Sequence, residues 1–276
     1  MVYPKYGLTF RKIREQKQLS LSFLEKAGIS KPALSKFERG QTMMSFEKVF
    51  LALQMMDVTL SEFEYILHDF ICDEKYTLLG QIERALIEQK EESLIKLQQQ
   101  AESINFLFVS LAAKASYRKL TVDESEKVTD LLYEIKIWGK LELTFLYLIV
   151  QELNGKDIIY LFRQFFRKKQ DFFNSEIHSA IFSKACFRGI QRLCTLGYKE
   201  ESAYLIEQLY VYEVIHSMFL RVIQQIIHGY WIYCFSNPVK GRKMMLKGLK
   251  VVQEVAKPEI ATYCLSVYEN MISSKE

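Results

Sequence analysis

A very short joint between two amphipathic segments, near the start of the chain, limits the folds that the chain can adopt. Residues 21–27 and 31–38 each repeat apolar side chains at helical spacing, and only Gly28, Ile29 and Ser30 separate them. Gly28 stands where helices often end in a left-handed residue, and Ser30 is of a type that begins helices as an N-cap. Two helices joined this tightly predict a helix-turn-helix, in which the second helix is held out from its domain.

The residues around this joint also fit a helix-turn-helix. Ser20 precedes the first segment and is predicted to cap it, and residues 8–18 form an earlier amphipathic segment. Pro32 falls in the first turn of the second helix, where proline is tolerated because its missing N–H would have no helical partner. We therefore expect three short helices in succession.

The second helix of the pair is predicted to have one apolar and one polar side. Ala33, Leu34 and Phe37 are expected to face the domain, which leaves a polar and basic outer side. Side chains on such a helix can reach base edges in the major groove and flanking phosphates. Together with basic residues of the first helix, the candidate DNA-contacting residues are Arg11, Lys12, Arg14, Ser30, Lys31, Pro32, Ser35, Lys36 and Arg39.

Positive charge is concentrated in the same region. Residues 1–40 contain nine Lys or Arg and three Asp or Glu, a net charge of +6, whereas the whole chain has 37 basic and 33 acidic residues and a net charge of +4. The other 236 residues are therefore close to neutral, at −2. A basic N-terminal module on a near-neutral body indicates a polyanionic partner for that module.

The N-terminal module also resembles a known family. The run ISKPALSKFERG at residues 29–40 is similar to the pattern I-S-x-x-x-(I/L)-S-x-(I/W/F)-E-x-G of the Cro/C1-type (XRE) helix-turn-helix. The other stretches that resemble it are residues 19–28, 45–49 and 53–63. The resemblance implies a five-helix DNA-binding domain over residues 1–67. One position differs, since Leu21 stands where the family often has a glutamine that contacts a phosphate.

The rest of the chain consists of longer amphipathic segments. Only 11 residues are glycine and four are proline, while 49% are hydrophobic, which favours long helices over folds with many turns. Helix pairs of about 32–40 residues are typical of helical solenoids, whose concave surface suits an extended ligand. We predict an all-α protein, with a linker at 68–74 and a tetratricopeptide-like right-handed α-solenoid at 75–276 that regulates and dimerises. The predicted helices of this body are 74–89, 91–101, 104–117, 121–137, 140–152, 155–171, 175–196, 199–212, 214–235, 239–255 and 258–273.

Two helices of this body carry polar stripes within apolar sequence. One interpretation is an ordinary solvated face; the other is a groove in which Arg and Gln bind the main chain of a peptide and aromatic residues contact its side chains. The stripes are Lys184, Arg188, Gln191, Arg192 and Thr195, and Ser217, Arg221, Gln224, Gln225 and His228. The candidate peptide-binding residues are Arg84, Arg188, Arg192, Arg221, Gln225, Tyr230 and Trp231.

Sequence signatures of catalysis are absent. The chain contains no Gly-rich phosphate loop and no G-x-S-x-G elbow, and its four histidines lack metal-ligand spacing. The five cysteines are scattered, as expected for core residues in a reducing cytosol. We therefore expect no enzyme, no metal site and no cofactor. We see no secretory signal and no apolar run long enough for a membrane span, which predicts a cytoplasmic protein without membrane contact.

The whole chain resembles the Rgg/GadR/MutR regulators of Gram-positive bacteria. The resemblance is carried by the N-terminal module, the run WGKLEL at residues 138–143, Arg221 with Gly229, and the later Gly241 and Met245. It implies a cytoplasmic homodimer that binds double-stranded promoter DNA. It also implies that a short hydrophobic signalling peptide, a quorum-sensing pheromone imported from outside, binds the repeat domain. Two alternatives remain open: a regulator that needs no peptide, and a helical-repeat module that sequesters a protein partner.

Overall fold

The structure, a computed structural model, describes residues 4–68, 74–167 and 175–275 and is helical without strands in these ranges. It divides into two compact units, residues 1–73 and 74–276. The prediction of an all-α protein is confirmed. Most of the predicted linker at 68–74 lies outside the described residues, as does Cys72.

The described part of the first unit consists of five short α-helices and one 3-10 turn, Glu25–Ala27, which follows the second α-helix. The α-helices are α1 (Pro4–Gln16), α2 (Leu21–Leu24), α3 (Lys31–Glu38), α4 (Phe46–Met55) and α5 (Leu60–Leu67). The Phe23 backbone N–H donates to the Ser20 hydroxyl at 3.1 Å, and Gly28 is left-handed with φ 71° and ψ 24°, so both predictions are confirmed. Ser30 occupies the N-cap position of α3, but its hydroxyl makes no capping hydrogen bond.

Aromatic packing between α1 and α3 holds the helix-turn-helix together. Phe10 and Phe37 are fully or almost fully buried and meet edge to face, with ring centroids 5.4 Å apart. The buried residues of α3 are Leu34, Phe37 and Glu38, and Ala33 is exposed. The prediction that Ala33 faces the domain is therefore wrong. The inward stripe follows i, i+3 and i+4 from Leu34, which turns Ala33 to the outer side.

In its described residues, 74–167 and 175–275, the second unit contains the eleven α-helices that the sequence predicts for it. They are α6 (Glu74–Ile87), α7 (Glu91–Ser103), α8 (Leu107–Ala115), α9 (Val122–Glu134), α10 (Lys140–Ile149), α11 (Gly155–Arg167), α12 (Glu176–Leu196), α13 (Lys199–Val211), α14 (Met218–Phe235), α15 (Pro238–Val255) and α16 (Pro258–Ser273). The predicted capping box at Thr121 and Glu124 is present. The end of the predicted helix 155–171 lies beyond the described residues.

Helices that are two apart in sequence stack through the centre of this unit. Helix α12 packs against both α10 and α14, while neighbours in sequence such as α6 and α7 or α14 and α15 also pack together. Residues 143–150 are all buried, so α10 is surrounded by the core. Stacked helix pairs of this kind bury a continuous core between repeats and leave concave surfaces free.

Helices α14 and α15 approach each other closely at Gly241 of α15. A Cβ atom at this position would lie 2.3 Å from the Tyr233 backbone nitrogen and 2.6 Å from the Gly229 carbonyl oxygen, both on α14. We expect Gly241→Ala to push the two helices apart and to lower the free energy of unfolding by about 1–3 kcal/mol in urea denaturation.

A matched glycine provides the control. Gly80 lies inside α6, and a Cβ atom there would meet nothing within 4 Å. Gly80→Ala should therefore raise the free energy of unfolding by about 0.5–1 kcal/mol, because alanine loses less backbone entropy in a helix. Equal effects of the two substitutions would contradict the close contact of α14 with α15.

Candidate functional site

The outer side of α3 presents most of the predicted DNA-contacting residues together. Lys31, Pro32, Lys36 and Arg39 are exposed, and Ser35 is half-buried between them. Exposed Ser30, at the N-cap position, and exposed Ala33 extend this surface. The positive end of the helix dipole lies at Lys31, so the surface combines basic side chains with a helix terminus that favours anions.

Local contacts orient two of these side chains. The Lys31 ammonium lies 4.0 Å from a Glu25 carboxylate oxygen, and the Arg39 Nε donates to the Ser35 carbonyl oxygen at 3.2 Å. Lys31 and Glu25 are both about half exposed, so this ion pair is weak in water and can be exchanged for a phosphate. The hydrogen bond to the Ser35 carbonyl oxygen holds the Arg39 side chain along the helix.

Helix α1 carries two further predicted residues on its exposed side. Arg11 Nε donates to Glu15 Oε1 at 2.7 Å, and this hydrogen bond lowers the pKa of Glu15. Lys12 is exposed next to it. Both side chains are open to solvent and can reach a polyanion.

Arg14 has a different role from the one predicted. Its Nε and one terminal nitrogen donate to the two Glu38 carboxylate oxygens at 2.6 and 2.7 Å, and the other donates to the Leu19 carbonyl oxygen at 2.6 Å. The hydrogen bond to Glu38 raises the pKa of Arg14. Because the guanidinium is buried and fully engaged, Arg14 is not a phosphate ligand here; it ties α1 to the end of α3.

The second unit contains a cavity of about 220 Å³ between five of its helices. Its lining is mostly apolar, with a small polar group at one side. The lining residues are Glu83 and Ile87 of α6, Tyr147 of α10, Lys184, Phe187, Arg188 and Gln191 of α12, Phe219, Leu220, Ile223, Ile226 and Ile227 of α14, and Ile260, Tyr263, Cys264, Val267 and Met271 of α16. Apolar walls with a few convergent polar groups are typical of ligand sites.

Two cations and one carboxylate form the polar side of this cavity. Lys184 Nζ lies 2.7 Å from Glu83 Oε1, and an Arg188 guanidinium nitrogen donates to the Tyr147 carbonyl oxygen at 3.0 Å. Both cations also lie over the Tyr147 ring, 5.6 and 5.2 Å from its centroid. Burial raises the pKa of Tyr147 well above its ordinary value, so this hydroxyl stays protonated. The group therefore offers cationic donors beside an apolar chamber.

Only part of the polar stripe of α12 reaches this cavity. Arg188 lines it as predicted, together with Lys184 and Gln191. Arg192 does not line it, and its Nε is buried without a hydrogen-bond partner in the described part of the chain. Arg84 is exposed and lies 3.5 Å from Glu88, on the outside of α6. The prediction that Arg84 and Arg192 line a groove is therefore not matched by this cavity.

The polar stripe of α14 lies outside the cavity altogether. Arg221 and Gln225 do not line it, and Arg221 lies 3.4 Å from Gln224 instead. Tyr230 is fully buried in the core, and Trp231 Nε1 donates to the Lys199 carbonyl oxygen at 3.2 Å. Helix α14 turns its apolar side to the cavity. Polar stripes in the sequence do not predict this apolar lining, because helical periodicity alone does not distinguish a cavity wall from the core.

Comparison with known proteins identifies the family. Residues 81–265 match the family "HTH-type transcriptional regulator Rgg, C-terminal domain", and residues 10–63 match the helix-turn-helix family. The chain belongs to the Rgg family. It is therefore a helix-turn-helix transcriptional regulator that binds DNA, and not an enzyme, as the sequence analysis predicts. None of the helices in the described ranges of this Rgg-family regulator has the length and hydropathy of a membrane span.

Solved structures with the same fold cover nearly the whole chain. The Streptococcus dysgalactiae SHP pheromone receptor Rgg2 is 20% identical with a TM-score of 0.77, and the match covers 96% of this chain and 99% of that one. A Listeria monocytogenes EGD-e protein is 15% identical with a TM-score of 0.78, covering 98% and 97%. PrgX in its complex with cCF10 is 11% identical with a TM-score of 0.72, covering 100% and 94%. These likenesses confirm the predicted fold of a helix-turn-helix followed by a helical-repeat domain.

Proposed function

We propose that this regulator binds promoter DNA as a homodimer in the cytoplasm and that a short hydrophobic peptide binds in the cavity of its second unit. The observation that carries this proposal is the cavity of about 220 Å³, apolar on most sides and cationic on one, in a chain whose other unit is a helix-turn-helix. Rgg2 is a pheromone receptor, PrgX forms a complex with cCF10, and a further solved structure of the same fold is a bacterial peptide pheromone/receptor complex, which supports a peptide as the ligand.

The chemistry of the cavity suits an extended apolar peptide. Phe219, Ile223 and the apolar residues of α16 provide pockets for side chains. Arg188, Lys184 and Gln191 provide donors and an amide for main-chain carbonyls or a carboxylate. A peptide that engages Lys184 would compete with Glu83, its partner at 2.7 Å. Because Glu83 belongs to α6, the first helix of this unit, occupancy would change the contacts between α6 and α12.

A dimer is supported by the way helix-turn-helix proteins read DNA. Two copies of α3, about 34 Å apart, would enter successive major grooves and read an inverted repeat. The outer residues of α3 would contact bases and phosphates, and binding would weaken as salt increases. Peptide binding can change this affinity only if the peptide favours one of two states of the protein.

Arg188→Ala is expected to remove most of the peptide that the protein retains, because it deletes a cation at the cavity wall. Arg84→Ala is the matched control, since Arg84 is an exposed arginine outside the cavity. Native mass spectrometry of each variant, purified from its own cells, reports the oligomeric state and the fraction carrying a peptide. We expect a dimer with bound peptide for the unsubstituted protein and for Arg84→Ala, and a largely peptide-free dimer for Arg188→Ala.

Three outcomes would contradict parts of this proposal. If the unsubstituted protein carries no peptide but binds specifically to the DNA upstream of its own gene, the peptide-independent regulator is favoured. If the protein binds that DNA no better than random duplex but carries a protein partner, the sequestration module is favoured. A monomer in the presence of DNA would contradict the dimer.

A further inference from the structure

The charges on the wall of the cavity in the second unit do not balance. Three of its lining residues are charged: Glu83, Lys184 and Arg188. A carboxylate oxygen of Glu83 lies 2.7 Å from the Lys184 ammonium, so these two charges compensate each other. No carboxylate of the described residues forms an ion pair with Arg188. One positive charge is therefore left over beside a mostly apolar chamber.

The Arg188 guanidinium also has hydrogen-bond donors to spare. One terminal nitrogen donates to the Tyr147 carbonyl oxygen at 3.0 Å, and the group lies 5.2 Å from the centroid of the Tyr147 ring. Its Nε and its other terminal nitrogen have no acceptor in the described part of the chain. A guanidinium with two free donors matches a carboxylate, which accepts two parallel hydrogen bonds from it.

Two neighbours on α12 add to this preference for an anion. Gln151 Nε2 donates to Gln191 Oε1 at 3.4 Å, and this leaves the Gln191 amide NH₂ group as a further donor on the cavity wall. Lys184 precedes Arg188 by four residues, and like charges at this spacing on a helix repel each other. An anion bound at Arg188 would offset that repulsion.

Given the peptide ligand of the proposed function, on which this inference rests, we propose that Arg188, assisted by Gln191, binds the C-terminal carboxylate of the peptide. Of the two ends of a peptide, the carboxylate complements the unpaired cation, whereas the ammonium group would be repelled by Lys184 and Arg188. The last residues of the peptide therefore occupy the apolar chamber, and its N-terminal end points away from the two cations.

Desolvation explains why a carboxylate is favoured over a main-chain carbonyl at this position. An apolar peptide that fills the chamber displaces water from the Arg188 guanidinium, which is half-buried before any ligand binds. A carbonyl oxygen would replace the hydrogen bonds of that water but would leave the charge uncompensated, which is costly away from solvent. A carboxylate replaces the hydrogen bonds and also compensates the charge.

The test uses the full chain, produced in a foreign host, and three synthetic pools of short N-acetylated peptides with random apolar residues. The first pool ends in a free carboxylate, and the second ends in a carboxamide. The third pool also ends in a carboxamide but carries one glutamate at an internal position, which separates a C-terminal carboxylate from an acidic side chain. Native mass spectrometry measures how much of each pool the protein retains.

The unsubstituted protein should retain the acid pool about tenfold or more over either amidated pool, the ratio that a hydrogen bond to a charged group provides. Arg188→Met keeps the length of the side chain without its charge and should retain the three pools alike. Arg188→Lys should recover part of the preference, because it keeps the charge but not the paired donors. The control Arg84→Ala should show the full preference, since Arg84 lies outside the cavity.

Three results would overturn this assignment and leave the peptide ligand itself standing. The first is equal retention of the acid pool and the plain amidated pool by the unsubstituted protein. The second is a preference for the acid pool that persists in Arg188→Met, and the third is retention of the internal-glutamate pool that equals or exceeds that of the acid pool. If no pool is retained, the proposed function fails and the assignment fails with it. Circular dichroism reports whether each variant is folded.

Discussion

Arg14→Ala is expected to destabilise the first unit by about 3–5 kcal/mol, because it leaves the carboxylate of Glu38 buried without its cationic partner. Glu38 is only 4% exposed, and both of its oxygens accept hydrogen bonds from Arg14. Hydrogen exchange of the full chain should show the loss as faster exchange of the amides of α1 and α3. The amides of the second unit should exchange at unchanged rates.

Two companion variants isolate the buried pair from a general charge effect. Arg11→Ala removes an arginine of the same helix whose ion pair with Glu15 is half exposed, and it should leave exchange nearly unchanged. The double variant Arg14→Met/Glu38→Leu should recover most of the lost stability, since it removes both buried charges together. If Arg11→Ala and Arg14→Ala had equal effects, the buried ion pair would not be what joins α1 to α3.

The double variant Lys31→Ala/Lys36→Ala is expected to weaken DNA binding. The expected loss is about 1–3 kcal/mol of binding free energy for each lysine that contacts a base. For each lysine that contacts a phosphate, the affinity should also depend less steeply on salt concentration. Both lysines are exposed on the outer side of α3. Fluorescence anisotropy with duplex from upstream of the gene, repeated at several salt concentrations, measures both effects. Hydrogen exchange should be unaffected, because neither side chain is part of the core.

Lys247→Ala/Lys250→Ala is the matched control for this experiment. These lysines are also exposed on one helix, α15, and their removal lowers the net charge of the chain equally. We expect this control to bind DNA with nearly the affinity of the unsubstituted protein. Equal weakening by both double variants would show that net charge, rather than the α3 surface, determines binding, and would exclude α3 as the recognition helix.

Much of the first unit could be predicted because its signals are local. The cap at Ser20, the left-handed Gly28 and the order of helices each depend on a few consecutive residues. Two errors, the orientation of Ala33 and the role of Arg14, concern which side of a helix meets another helix. Apolar spacing in a helix as short as α3 leaves its rotation uncertain by about one residue position, or 100°.

Less of the cavity could be predicted, because polar stripes in the sequence indicate only part of its lining. The stripe on α12 contains residues that reach the cavity, but the stripe on α14 does not. In α14 the apolar residues face a space that no side chain of the described residues fills completely. An apolar side that lines a cavity and one that is packed in a core have the same periodicity, so sequence alone does not separate them.

The class of the fold, the helix-turn-helix, the concentration of basic charge in residues 1–40 and the succession of helices in the body all follow from the sequence. These depend on local spacing, capping and composition. The pairing of Arg14 with Glu38, and the finding that Arg188 lines a cavity while Arg84 does not, come from the tertiary structure alone. Each of these depends on how distant helices rotate and pack, because periodicity defines the faces of a helix but not the neighbour that each face meets.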